Sequence, residues 1–214
     1  MDINDIYRPL LTHFRTRRVV AFYRQMRVHS STRVLDVGGS SFFWDLTAKL
    51  GLPTIREITV LNVYETDQTQ LPSNVRWIKG DARRMPFKDG AFDIAFCNSV
   101  IEHVGDAAAQ AECATEIRRV GKKYWVQTPD PRFFVEPHYL APFVHWMPKD
   151  WRARFVRYGT IWGLVTKPSR IDVEDRIREI RLLSAKEFAS MFPDAELTVE
   201  RFAGWPKSLI ATRR

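Results

Sequence analysis

Arg33-Val34-Leu35-Asp36-Val37-Gly38-Gly39-Ser40-Ser41 decides how this chain folds. Its first five residues make a short, mostly apolar run suited to a buried strand, and the run stops on two glycines and two serines. From about Phe42 to Leu50 the residues favour a helix, which Gly51 and Pro53 close. Strand, small-residue turn and helix in that order open a parallel βαβ unit.

The alternation continues outward. Strands are predicted at Glu57-Ile58-Thr59-Val60-Leu61, ending at Asn62, at Val75-Arg76-Trp77-Ile78, ending at Gly80-Asp81, and at Phe92 to Cys97 after an Asp89-Gly90 turn. A helix from about Asp106 to Val120 is capped by Asp106 and stopped by Gly121. Tyr124-Trp125-Val126-Gln127 is the next strand, broken by Thr128-Pro129-Asp130-Pro131. Upstream, residues near 6 to 27 read as a helix with Ile6, Leu10, Phe14, Val19, Phe22 and Met26 on one stripe. Downstream, Ser184-Ala185-Lys186-Glu187 is a capping box that opens a helix through about Met191. Two closing strands, Glu196 to Phe202 and Ser208 to Ala211, are joined by so short a link that they must pair antiparallel. The predicted fold is a Rossmann-like α/β three-layer sandwich around a mostly parallel seven-stranded sheet, with one antiparallel strand near the C-terminus. One domain spans 1–214, with residues 1–30 a helical lead-in and 131–183 an insertion expected to cover a substrate cleft.

Composition sets bounds. No apolar run approaches the roughly 18 residues of a membrane span, and the acidic start Met1-Asp2-Ile3-Asn4-Asp5 does not read as a signal peptide. Cys97 and Cys113 are the only cysteines and lie in regular apolar segments, so two buried free thiols and a reducing cytoplasm are expected. The net charge is +8, spread over short groups such as Arg15/Arg17/Arg18 and Arg118/Arg119/Lys122/Lys123. Solvated helix faces account for such groups, while a nucleic-acid partner is the alternative.

In an open α/β sheet, ligands bind beyond the carboxyl ends of the strands. Asp36 to Ser41, Asn62, Asp81-Ala82, Asn98-Ser99 and Thr128 to Asp130 occupy those ends and form a polar rim. A dinucleotide fingerprint needs glycines that Gly38-Gly39-Ser40-Ser41-Phe42-Phe43 lacks, which disfavours a pyrophosphate. Val34-Leu35-Asp36-Val37-Gly38-Gly39 resembles the first motif of class I S-adenosylmethionine-dependent methyltransferases. Gly80-Asp81-Ala82-Arg83-Arg84-Met85-Pro86-Phe87, Phe92-Asp93-Ile94-Ala95-Phe96 and Asn98-Ser99-Val100-Ile101-Glu102-His103-Val104 resemble the small-molecule (type 11) branch. The resemblance implies S-adenosylmethionine as cofactor. It further implies that Asp36 and the backbone of Gly38, Gly39 and Ser40 hold the methionine moiety, and that Asn62 binds the ribose. Asp81 would take the adenine amine, Ala82 would line the ring, and Asn98 and Ser99 would lie under the sulfonium. Two departures stand out: Ser40 and Phe42 replace the later glycines of that turn, and Asn62 stands where an acid is usual.

Methyl transfer from a sulfonium needs alignment and dryness more than a catalytic group, and a base only for a reluctant acceptor such as an alcohol. The base candidates follow the fifth strand: Asp130, Glu136, His138 and His145, with His138 favoured because its pKa lies near neutrality. A structural pairing of Glu136 with His138 is the competing role for both, and His103 reads as a packing or capping histidine. No carboxylate cluster stands out, so no metal is expected. The acceptor is read as a small molecule, or a lipid- or sugar-linked one, with oxygen the methylated atom. Trp146, Trp151, Phe155, Tyr158 and Trp162 interleave with Arg152, Arg154 and Arg157, which reads as a lid, a membrane-resting patch or a small core under a long loop. A binding or scaffold protein that lost its cofactor is the reading from outside enzymology.

Overall fold

The computed structural model describes residues 3–214 except Pro137 and Leu140, without the side chains of residues 3–11, 13, 41, 42, 70, 149 and 150. The side chains of Ile6, Leu10 and Phe42 therefore lie outside the described residues. The large sheet comprises β1 (Arg33–Val37), β2 (Glu57–Asn62), β3 (Val75–Lys79), β4 (Phe92–Asn98), β5 (Gly121–Pro129), β8 (Glu196–Phe202) and β9 (Trp205–Arg213). Its spatial order is β3-β2-β1-β4-β5-β9-β8, with β9 antiparallel to both neighbours and every other pairing parallel. The order reverses between β1 and β4, the switch point beyond whose carboxyl ends open α/β sheets bind ligands.

Alternation along each strand sends side chains to two apolar layers. On one face Leu35, Val37, Ala95, Cys97 and Val126 meet α3 (Ala107–Val120) and α7 (Ala185–Met191) through Cys113, Ile117 and Phe188. On the other, Val34, Ile94, Phe96 and Trp125 meet α1 (Ile3–Met26) and α2 (Ser41–Lys49) through Phe22, Met26, Phe43 and Trp44. Phe22 docks α1: its ring centroid lies 4.6 Å from Phe96, which stacks on Trp125 at 5.2 Å. Truncating a buried ring of this kind costs about 3–5 kcal/mol. The predicted caps form. Asp106 Oδ1 accepts from Ala109 N at 2.9 Å, and Ser184 and Glu187 bond reciprocally at 3.2 and 2.9 Å.

Three strand boundaries differ most from the sequence reading. Gly121 does not end α3 in a left-handed turn; at φ −96° and ψ 130° it already belongs to β5. A Cβ there would lie 2.5 Å from the Lys123 carbonyl and 2.8 Å from Ala95 Cβ, so close packing against β4 demands the glycine. At the far end β5 runs on through Pro129. Gln127 turns its carbonyl toward the β4 side, accepting from Ser99 N at 3.0 Å, and Pro129 faces the same way two residues later. Since β4 has ended at Asn98, no ladder bond is lost to the missing N–H. Likewise β9 begins at Trp205, leaving a two-residue link, Ala203-Gly204, with both residues at positive φ.

Residues 131–183 hold a two-stranded hairpin, β6 (Val135–Glu136) with β7 (Ala141–Pro142), and three helices, α4 (Lys149–Gly159), α5 (Ile161–Thr166) and α6 (Arg170–Arg178). They have a core of their own, in which Tyr139, Ala141, Val144, Val156 and Val173 are buried, while Trp151 and Tyr158 remain 75% and 61% exposed. The small-core reading thus describes part of this segment, and its exposed aromatics are additional to it. Among the described residues no helix is long and apolar enough to cross a membrane. Both cysteines are buried free thiols. Much of the basic charge is paired: Arg119 bonds Glu116 and Asp89 at 2.6 and 2.8 Å, Arg118 bonds Asp194, and Lys122 bonds Asp93.

Candidate cofactor and acceptor site

The turn after β1 is built on close approach. Gly38 has φ +71°, its N–H donates to Leu61 O at 2.7 Å, and a Cβ there would lie 2.4 Å from Val100 Cγ1. A Cβ on Gly39 would lie 1.9 Å from Asp36 Oδ2, so the carboxyl of Asp36 sits directly under the turn. That carboxyl is buried, and it accepts from the Trp44 indole N–H at 2.7 Å. Burial pushes its pKa up to about 7, although the indole bond pulls the other way. Ser40 precedes α2 with extended backbone and makes no side-chain cap bond. Asn62 braces the turn: its Nδ2 donates to Gly39 O at 3.0 Å and Gly38 O at 3.3 Å, and its Oδ1 accepts from Tyr64 N.

The neighbouring strand ends complete the rim. Gly80 N donates to Asn62 O at 2.9 Å, tying the turn after β3 to β2. There the exposed Asp81 carboxylate accepts from the Arg83 guanidinium and backbone N–H, the nearest contact being 2.6 Å, and these bonds lower its pKa. Ala82 packs half-buried on the core. Asn98 ends β4 with its Oδ1 buried and unpartnered. Ser99 adopts φ 54°, and its Oγ donates to Gln127 Oε1 at 2.8 Å, leaving Gln127 Nε2 unpartnered. Asp36 thus lies against Gly39, Asn62 holds Gly38 and Gly39, Val100 packs on Gly38, and Asp81 pairs with Arg83.

The acceptor-side residues fall into two groups. Glu136 is buried at 2% exposure and its Oε1 accepts from His138 twice, from Nδ1 at 2.5 Å and from the backbone N–H at 3.0 Å. Burial alone would raise its pKa, but the His138 bonds and charge hold it below the usual carboxylate range. His145 bonds the Pro131 carbonyl through Nε2 at 2.9 Å, and its Nδ1 is buried without a partner. A cavity of about 190 Å³ lies between them, lined also by Tyr139, Arg152 and Ile180, with Tyr139 Oη and Arg152 Nε unpartnered. Asp130 is committed to Arg132 in a two-pronged pair.

Sequence reasoning read His103 as a packing or capping histidine and did not pair it with His138. His103 sets its Nε2 3.0 Å from His138 Nε2, and although part of its side chain is exposed, desolvation of the ring against its neighbours, together with His138, lowers its pKa to about 4. Beside it Glu102 is fully buried, with Oε2 accepting from Thr128 Oγ1 at 3.1 Å and Oε1 unpartnered. Burial raises its pKa to about 7. The expectation of no metal-binding group weighed carboxylates alone, whereas Glu102, His103 and His138 gather one donor atom each within 4.8 Å. A buried acid on a strand-end segment beside a histidine was the one local signal.

The Rossmann-like sheet with its glycine turn over a buried acid has counterparts among known proteins. Residues 35–124 match the family model described as a methyltransferase domain, of the type 11 kind. A curated relative, the biotin biosynthesis bifunctional protein BioHC of Cellvibrio japonicus, is 26% identical over 106 residues, which is 49% of this chain and 21% of that protein. The chain therefore spans about a fifth of the length of the curated relative it matches. Among solved structures, a SAM-dependent methyltransferase from Aquifex aeolicus aligns with TM-score 0.52 at 13% identity, over 91% of this chain and 88% of that one. Magnesium protoporphyrin IX methyltransferase from Synechocystis, solved with bound SAH, aligns with TM-score 0.54 at 10% identity, over 95% and 84%. Residues 35–124 thus match a methyltransferase domain, and the fold is the one these S-adenosylmethionine-dependent methyltransferases share.

Proposed function

We propose that this protein transfers a methyl group from S-adenosylmethionine to an oxygen of a small molecule, or of a lipid- or sugar-linked one. The acceptor is held beneath residues 131–183 of what we take to be a single domain spanning 1–214. The observation that carries the acceptor side is the Glu136–His138 pair beside a small cavity that is mostly apolar with a few polar groups. About 190 Å³ suits a small acceptor or one end of a larger one. The BioHC relative, a biosynthetic protein for a small cofactor, accords with that class.

The site fits the cofactor on several counts. The Gly38-Gly39 turn brings backbone to the crevice without a Cβ. The buried acid beneath it favours a cationic amino-acid tail, whose charge would stabilise ionised Asp36. Asn98 Oδ1 waits for a donor next to the position we assign to the sulfonium, with Ser99. Gly38, Gly39 and Ser40 would face the methionine moiety and Asn62 the ribose, giving up bonds to its own turn. Asp81, with lone pairs beyond those Arg83 uses, and Ala82 would flank the adenine. The cofactor supplies a methyl group already activated on a sulfonium. His138 then offers Nε2 to the acceptor's hydroxyl proton, because Glu136 fixes Nδ1 as the donor and stabilises the imidazolium that results. His145, held by Pro131, orients the cavity wall. Two buried free thiols accord with a cytoplasmic setting.

Calorimetry with S-adenosylmethionine tests the reading: micromolar binding is expected, and its absence would favour the scaffold reading. A nucleic-acid substrate has one observation in its favour. A cleft of about 900 Å³ is lined by Arg17, Arg24, Arg27, Lys123 and Arg214 with no acid among its lining residues. It lies at the start of β5, the sheet edge opposite the glycine turn. RNA or DNA retention that falls steeply with salt would support this reading, and no retention at low salt would remove it.

A further inference from the structure

We propose that Glu102, His103 and His138 bind a divalent transition-metal ion beside Glu136, which lines the small cavity. Their donor atoms lie within 4.8 Å of one another, although 35 residues separate the two histidines in the chain. The two Nε2 atoms are 3.0 Å apart, with ring planes at 83°. Two nitrogens about 2.1 Å from a common ion subtend about 90° when so spaced, the angle of adjacent ligands in a two-histidine, one-carboxylate face. Glu102 completes that face with a buried oxygen, Oε1, that has no hydrogen-bond partner. A buried acceptor left unpaired is costly, and an ion would satisfy it. Bringing the carboxylate oxygen from at most 4.8 Å to about 3.0 Å from the nitrogens needs a shift of up to about 2 Å.

The surroundings favour coordination over a bare histidine pair. Glu136 accepts from His138 Nδ1 at 2.5 Å, which turns the Nε2 lone pair toward His103 and the candidate site. This carboxylate–histidine–metal arrangement fixes the tautomer and raises ligand basicity. Two carboxylates, Glu102 and Glu136, offset the cation Arg176 that acts on His103, and Arg18, which acts on Glu102, is already paired with Glu200 at 2.9 Å. Two imidazoles with one carboxylate select Mn²⁺, Fe²⁺, Co²⁺ or Zn²⁺ over Mg²⁺ or Ca²⁺, which require oxygen. Binding itself follows from this geometry alone. Its use rests on the methyl-transfer reading: an open coordination position takes the acceptor hydroxyl and lowers its pKa, the proton leaving to water, and His138 serves as ligand instead of base.

Co²⁺ is the probe, because its visible absorption reports coordination directly. The EDTA-stripped full chain titrated with CoCl₂ is expected to develop bands that saturate at one equivalent and are displaced by Zn²⁺. His103→Ala and His138→Gln should each weaken Co²⁺ binding at least about tenfold, and Glu136→Gln, which removes only the supporting carboxylate, by about tenfold. His29→Gln, whose ring bonds only Ser31 among the described contacts, should change nothing. His103 is exposed, so its truncation leaves the fold intact, as a thermal melt will verify. Absence of the bands at about millimolar Co²⁺, or binding that persists in the His103→Ala/His138→Gln double variant, overturns the proposal. S-adenosylmethionine affinity measured on the same samples reports on the methyl-transfer reading separately, so either idea falls without the other.

Discussion

Asp36→Asn probes the centre of the site with a sign that can be worked out. Burial raises the Asp36 pKa from 3.8 to about 7 in the folded chain. The native state therefore holds this proton more tightly than the unfolded chain does. The contribution is fully present below about pH 4 and is lost as pH climbs through about 7. Every tenfold gain in proton affinity on folding is worth about 1.4 kcal/mol, so ionised Asp36 costs the ligand-free fold up to about 4 kcal/mol above about pH 8. Asparagine keeps the shape and an oxygen for the Trp44 indole, but carries no charge to desolvate. Urea unfolding followed by tryptophan fluorescence, repeated between about pH 4 and pH 8.5, should therefore show the variant gaining on the wild type as pH rises. Subtracting the two curves cancels Glu102, whose pKa is also raised to about 7. The same variant should bind S-adenosylmethionine at least about tenfold more weakly at neutral pH, since a cationic tail no longer meets a carboxylate. A stability difference that stays flat across the range would show that Asp36 ionises without cost, and the reasoning about the turn would fail.

Other consequences are narrower. Gly39→Ala drives a Cβ into the Asp36 carboxyl, with 1.9 Å to Oδ2, and should lose about 1–3 kcal/mol of stability in urea melts along with cofactor binding. Gly121→Ala meets Lys123 O and Ala95 at the start of β5, and its unfolding midpoint should fall by a comparable amount while cofactor affinity in the surviving folded protein is unchanged. Asp81→Ala should weaken S-adenosylmethionine at least about tenfold by calorimetry; equal affinity would move the adenine away from this turn. Once an acceptor is in hand, Glu136→Gln should cut turnover by about a hundredfold with S-adenosylmethionine affinity unaltered.

Much of the fold was legible because its signals are local. The β1 run from Arg33 to Val37, the Asp106 cap and the Ser184–Glu187 box are each complete within a few residues of chain, and all three form as read. The order of strand ends also pointed to the residues around the crevice, since alternating strands and helices oblige a parallel sheet to collect its loops on one edge. Where a boundary depended on a neighbour, the reading slipped. Gly121 looked like a helix stop because Cβ clashes with β4 are invisible in sequence, and Pro129 looked like a strand breaker because nothing local says that β4 has already ended.

What the sequence determined by itself was the element order and the strand-end residues, which follow from periodicity and caps, together with a motif resemblance to S-adenosylmethionine-dependent methyltransferases. Tertiary structure alone decided that Asp36 lies buried under Gly39 with a pKa near 7, that Asn62 braces the glycine turn, and that His103 faces His138. The physical reason is range: hydrogen-bond caps and hydrophobic periods act over a few residues, whereas desolvation and ligand geometry depend on atoms that only packing brings together.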